Sequence, residues 1–394
     1  MTSHDLRARA TAPLRVLCTT QPGVGHLLPM AGMLQQLVRR GHRVSVATSP
    51  SLSTLCHDLG FEHECVGPAF SVGEEERMVP ALARARRDGD REFRYTRTVL
   101  VEALGHATLP DTEAVVDQLR PDILVRDPVE FAGLAVAAAR GIPHVTGREN
   151  RFLSEAQWAE ELGDSLARLG GACGAPWLGP ADLYPQLGLA PALPSWVTAP
   201  ADLPDAREFG CHVGPRLRFI RPEAPHVPGS PGPTPRRGRR LVLVTFGSVY
   251  REAPALRRAV VGMNRDSHFD MIGDGVGGGR WHDFDAILPR CAAVVTVGGF
   301  GTVMAALRHG VPLVMVPLGA DHPTNAVRCT TLGVGRVLDA ATVTAATLTR
   351  SVMEVIDDPI FRRRARTLAD EWHRLPDSSW AADQVEAIAT QGRA

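Results

Sequence analysis

Residues 294–317 read VVTVGGFGTVMAALRHGVPLVMVP. An apolar, β-branched run, Ala292 to Thr296, meets a glycine turn, a helical stretch begins near Phe300 and stops at Gly310, and a second apolar run follows from Pro312 to Val316. Strand, glycine turn, helix, strand is one βαβ unit, whose two strands lie parallel in one sheet. A helix that starts on glycines offers unpaired backbone N–H groups and the positive end of its dipole to whatever sits above it. Gly298, Gly299, Phe300 and Gly301, with the hydroxyl of Thr302, thus suit a phosphate or diphosphate. The same glycines could serve only to bring helix and strand close, and at this point both readings stand.

The pattern extends in both directions. Downstream, MVPLGADHPTNA places Asp321 and His322 just beyond the second strand, where a carboxylate can accept hydrogen bonds from sugar hydroxyls or merely cap the next helix. Upstream, Leu241 to Phe246 is a strand ending in Gly247-Ser248, preceded by PEAPHVPGSPGPTPRRGRR, which is too rich in proline and glycine to bury a core. Near the N-terminus the plan recurs: a strand from Leu14 to Thr19, the turn QPGVGH, an amphipathic stretch from about Leu28 to Arg40 and a strand from Val44 to Thr48. Asp122–Val125, Glu130–Arg140 and Ile142–Val145 continue it as strand, helix and strand, whereas 152–206 reads as irregular. The expected architecture is α/β, two Rossmann-like doubly wound domains facing a cleft. Residues 1–221 form the first, 222–240 the linker, 241–376 the second, and 377–394 a segment packing back on the first.

Composition narrows the function. A chain of 394 residues suits two cores, and 43 basic residues balance 43 acidic ones, which disfavours a nucleic-acid partner. Every basic residue is Arg. Without Lys, a P-loop NTPase and a pyridoxal phosphate enzyme are both excluded. A nicotinamide fingerprint fails too, since Gly23 and Gly25 are followed by Leu28 and the second strand ends without an acidic residue. Seven scattered cysteines with no Cys-x-x-Cys pair fit buried thiols in a reducing compartment. No apolar run approaches a membrane span and the first dozen residues carry no apolar leader, so the expectation is a cytoplasmic protein.

The set GVGHLLP, TFGS, WHDFDAIL, VGGFGT and GVPLVMVPLGADHPTNA resembles glycosyltransferase family 1, the GT-B enzymes that glycosylate natural products. The resemblance spans nearly the whole chain. It implies inverting, metal-independent transfer from a UDP- or dTDP-sugar to a small lipophilic acceptor, with no cofactor beyond that co-substrate. Monomer and homodimer both stay open. By that resemblance His26 is the general base and Asp127 its acidic partner. An imidazole with a reference pKa of about 6.5 can take a proton from an acceptor hydroxyl near neutral pH. On the donor side the resemblance assigns the diphosphate to Ser248 and to Gly298 through Thr302, the base to Trp281 and the backbone of His282, and sugar hydroxyls to Asp321 and His322.

The chain departs from the family pattern on the donor side. Val297 stands where the family has His, Asp283 where it has Pro and His322 where it has Gln, and the segment between Met271 and Trp281 is short and glycine-rich. Candidates to replace the missing imidazole are His322, Arg308 and His309. An active glycosyltransferase is the favoured reading. A catalytically impaired GT-B homologue with an auxiliary or binding role and a nucleotide-sugar epimerase are the alternatives.

Overall fold

The computed structural model describes residues 12–70, 74–88, 93–148, 152–184, 186–197, 216–221, 236, 238–247, 253–265, 269–273 and 283–392. Two wholly parallel sheets organise them. The first has seven strands: β1 (Arg15–Thr19), β2 (Arg43–Thr48), β3 (Glu62–Cys65), β4 (Ile123–Arg126), β5 (His144–Thr146), β6 (Leu187–Ala190) and β7 (Leu217–Phe219), in the order β3-β2-β1-β4-β5-β6-β7. The second has five, β8 (Arg240–Thr245), β9 (Phe269–Gly273), β10 (Cys291–Thr296), β11 (Leu313–Met315) and β12 (Gly335–Val337), in the order β12-β11-β10-β8-β9. Helices cover both faces, so central strands such as β4 and β8 are buried on both sides and read as continuous apolar runs.

The order of strands fixes where a ligand can sit. In the first sheet the chain winds from β1 through β2 to β3, then returns to place β4 on the other side of β1. The second sheet repeats this at β8, with β9 on one side and β10 on the other. Loops leaving such a pair diverge and open a crevice beyond the strand C-termini. Thr19 pairs with Arg126 at the first crevice and Thr245 with Thr296 at the second, so His26, Asp127, Gly247 and the glycine turn all follow directly from these points.

The domains share apolar contacts. Ala190, Leu193, Trp196 and Val197 join one cluster with Val294, Phe300 and Met304. Ser195 gives its backbone N–H and hydroxyl to Glu371 at 2.8 and 2.5 Å. The last helix, Ser378–Gly392, lies on the first domain, where Arg40 holds Asp383 and Glu386 at 2.7 and 2.9 Å.

Three expectations need correction. The stretch 152–206 is not irregular throughout: it contains the helices Glu155–Leu162 and Ser165–Gly171 and strand β6. Ser154 and Gln157 form a capping box at the first of these helices, which stops the chain from wandering there. Nor are all thiols buried, since Cys65 ends the edge strand β3 and is exposed. The helix expected from about Leu28 starts at Val24. Residues 222–235 of the linker lie outside the described residues. Among the described residues no helix is long and apolar enough to cross a membrane.

Candidate active site

At the first crevice the helix Val24–Arg39 begins on Gly23, which brings no capping side chain, and His26 stands in its first turn. Asp127 is the first residue beyond β4, and its N–H donates to the Thr19 carbonyl at 2.9 Å, tying its loop to β1. His26 Nδ1 lies 2.5 Å from Asp127 Oδ2. The carboxylate is wholly buried, while the imidazole is 21% exposed. Thr20 donates to the same carboxylate at 3.3 Å, the Val129 amide at 3.1 Å, and Arg148 Nη1 stands 3.7 Å away. Burial works against ionisation of Asp127, but the charges of His26 and Arg148 and the hydrogen bonds from His26 and Val129 outweigh it, and the carboxyl titrates well below its ordinary range. With Nδ1 engaged by the carboxylate, Nε2 is the ring nitrogen left to take a proton.

Two arginines that sequence reasoning missed shape this site. Arg126 is buried, and its Nη1 donates to the carbonyls of Asp127, Pro128 and Glu130 at 3.0, 3.3 and 3.1 Å, so the loop bearing Asp127 is folded around a guanidinium. An Arg at the end of the apolar run ILVR was a legible sign, because a buried guanidinium must have partners. Arg148 gave no such sign.

At the second crevice Thr296 Oγ1 accepts from the Gly298 amide at 3.2 Å, and Gly298 adopts φ +96°, a conformation that favours glycine. Gly299 then caps the helix Phe300–Arg308 without a side chain, leaving the first-turn amides of Phe300, Gly301 and Thr302 uncapped by it. A Cβ at Gly301 would meet nothing within 4 Å, and one at Gly299 only His322 Nε2 at 3.8 Å, so one side of the turn is open to an approaching group. Asn325 Nδ2 donates both to the Gly298 carbonyl and to Asp321 Oδ2, each at 2.9 Å. Asp321 occupies the cap position of the helix His322–Thr331 but makes no capping bond with its side chain. The turn after β8 is built alike, with Thr245 Oγ1 accepting from the Gly247 amide at 3.3 Å.

Family models for erythromycin biosynthesis protein CIII-like proteins match on both sides, the N-terminal domain over residues 35–150 and the C-terminal domain over 259–388. L-demethylnoviosyl transferase of Streptomyces niveus is 33% identical over 393 residues, covering 95% of this chain and 98% of that protein. The chain belongs to the natural-product glycosyltransferases of family 1. Elloramycin glycosyltransferase ElmGT of Streptomyces olivaceus is 31% identical over 409 residues, 97% of this chain and 100% of that one. Among solved structures, glycosyltransferase VinC in complex with dTDP aligns with a TM-score of 0.71 at 23% identity, over 96% of this chain and all of that one. Spinosyn forosaminyltransferase SpnP aligns with a TM-score of 0.73 at 20% identity, with the same coverage. These neighbours share the GT-B fold, two parallel-sheet domains about a cleft.

Within this glycosyltransferase the departures on the second domain have specific surroundings. Val297 is 1% exposed and packs with Val244, Phe246, Val295 and Val316, so the position serves the core. Arg308 and His309 both bind Asp285, at 2.6 and 2.7 Å. His322, in contrast, stands against the glycine turn, and burial, opposed by the charge of Asp321, pushes its imidazole toward the neutral form. Asp283 caps the helix Phe284–Ile287 by accepting from the amides of Asp285 and Ala286 at 2.9 and 3.2 Å. Ser248, Trp281 and His282 lie outside the described residues, as does the short glycine-rich segment from residue 274.

Proposed function

We propose that this glycosyltransferase is an active, inverting, metal-independent enzyme that moves a sugar from a dTDP- or UDP-sugar to a hydroxyl of a small lipophilic acceptor. The observation that carries the reading is the His26–Asp127 pair at 2.5 Å, set at the switch point of one sheet while an uncapped helix start occupies the switch point of the other. His26 Nε2 takes the acceptor hydroxyl proton as that oxygen attacks the anomeric carbon. The bond from the anomeric carbon to the diphosphate oxygen breaks on the opposite face, and its electron pair leaves with the nucleotide diphosphate. Attack and departure on opposite faces invert the centre. Asp127, ionised and buried, orients the imidazole and stabilises the imidazolium that forms, the role an acid plays behind a triad histidine.

Charge develops on the leaving diphosphate, and the first-turn amides of Phe300, Gly301 and Thr302 suit its stabilisation. We assign His322 to the same anion in place of the imidazole that position 297 lacks, with Asp321 holding sugar hydroxyls. An epimerase could also use such a base, on a C–H bond of the sugar, but it would need no acceptor, and the relatives that the chain matches over nearly its whole length are glycosyltransferases. The impaired-homologue reading draws on the packing of Val297 in the core. Titration with dTDP and UDP against their monophosphates separates the two: tighter binding of the diphosphates is expected, and no binding at millimolar concentration would favour the impaired homologue. His26→Ala should abolish transfer while sparing nucleotide affinity, and transfer at the parental rate would remove His26 as the base.

A further inference from the structure

We propose that Arg148 is a positioning residue for the His26–Asp127 pair, a single guanidinium that clamps the helix start bearing the base to the loop bearing the acid. The inference rests on the reading of His26 as base and adds to it how the pair is held and tuned. Pro29 lies inside the helix Val24–Arg39 and has no N–H, so the carbonyl four residues earlier, that of Gly25, lacks its helical donor. Arg148 Nε donates to that carbonyl at 3.1 Å. Nη1 of the same group stands 3.7 Å from Asp127 Oδ1, while Asp127 Oδ2 meets His26.

The approach is built into the strand end. Gly147 donates its N–H to the Arg126 carbonyl at 2.8 Å, and a Cβ there would fall 2.6 Å from Met30 Sδ, so glycine lets the chain run close under the helix. The Arg148 side chain is 10% exposed, and its charge is poorly screened by water. The other titratable groups facing Asp127 are the Cys18 thiol from β1, His26 from its helix, and Glu130 and Arg126 from its own strand and loop. Arg126 spends Nη1 on that loop's carbonyls. Arg148 thus joins the Gly25 carbonyl, on the helix that bears His26, to the carboxylate that orients His26, at 3.1 and 3.7 Å. It fixes the helix start relative to the loop of Asp127 and sets a positive charge beside the pair.

The test is an NMR titration of histidine ring carbons in the whole chain, without donor or acceptor, the His26 signal being identified by its loss in His26→Ala. Arg148→Gln should raise the His26 midpoint by about one pH unit, the order expected for removing a unit charge on the far side of one carboxylate at an effective dielectric constant of about 20. Arg148→Lys, which keeps the charge but not the planar fork, should stay close to the parental midpoint. Should Arg148→Gln not fold, Arg148→Met carries the test: it removes the same charge, keeps an unbranched stem for the buried position and should raise the midpoint as far. An unmoved midpoint in the folded variants, or a Lys variant shifted as far as the Gln variant, would overturn the proposal. Because the titration needs no transfer, parental activity in His26→Ala would remove the base assignment while leaving the clamp to stand or fall by itself.

Discussion

Trp196, carried beyond β6 of the first domain, meets Phe300, the first residue of the helix after the glycine turn, edge to face, with ring centroids 6.1 Å apart and planes at 74°. Both rings are buried, at 4% and 9% exposure, so the start of that helix leans on a side chain of the opposite domain. Ser195, one residue before, is bound to Glu371 on the helix Pro359–His373. The contact between domains therefore reaches the amides that we assign to the diphosphate.

Removing the Trp196 ring should cost both stability and donor affinity. A buried Trp→Ala change typically costs about 3 to 5 kcal/mol through lost burial and an unfilled cavity. Calorimetric unfolding of Trp196→Ala should show a clearly lowered Tm, and titration with dTDP a weaker affinity, whereas Trp196→Phe should recover much of both. An unchanged Tm would mean that the ring pair is incidental to the domain contact.

The glycine turn separates conformational from spatial demands. Gly301 needs no special φ, and a Cβ there meets open space, so Gly301→Val should fold with a Tm within a few degrees of the parent. Its side chain would nevertheless stand beside the first-turn amides, and diphosphate affinity should fall at least tenfold, toward that of the monophosphate. Asn325→Asp probes the other side of the turn: a carboxylate cannot donate to the Gly298 carbonyl and sits beside Asp321, so both stability and diphosphate affinity should drop. If Gly301→Val binds dTDP like the parent, the turn is a packing device and not an anion site.

Much of the fold was legible because parallel sheets buried on two faces write their strands as unbroken apolar runs, and the Gly turns punctuate them. The glycine turn was legible for the same reason, since it follows a strand end directly, whereas His26 and Asp127 were singled out by the resemblance of GVGHLLP and the strand-end Asp to the family pattern. The helix start at Val24 was hidden by Pro29, which reads as a break until the Gly25 carbonyl is seen to have another donor. Arg148 was hidden more completely. It is 123 residues from Gly25 along the chain, and only the placement of β5 beside β4 brings it to the site. The surroundings of Val297 likewise needed the structure, because which face of β10 a residue presents beyond the strand end depends on the turn that follows.

His144 gives the fold a defined sensitivity to acid. Its side chain is buried on β5, and burial first, with the charge of Arg126 second, pushes the imidazole down to about 3 from an ordinary value of 6.5, against the nearby backbone of Asp182 and Leu183, which works the other way. Between those two values the unfolded chain binds more protons at this residue than the folded one, so stability rises with pH across the window. The contribution is complete above about pH 6.5 and is lost progressively as pH falls toward about 3. Asp127 does not interfere, since its depressed carboxyl acts only below the ordinary carboxylate range, at about 3.9. Glu130, pushed up by burial, has the opposite sign, but it is common to parent and variant and cancels in their difference. His144→Gln should lower stability at pH 7.5 by about 1 kcal/mol through altered hydrogen bonding. It should also flatten the decline between pH 6.5 and 4.5. Urea unfolding midpoints measured across that range for both proteins should converge, cross near about pH 6 and leave the variant the more stable at pH 4.5, and parallel curves would mean that the folded state does not hold His144 neutral across this range.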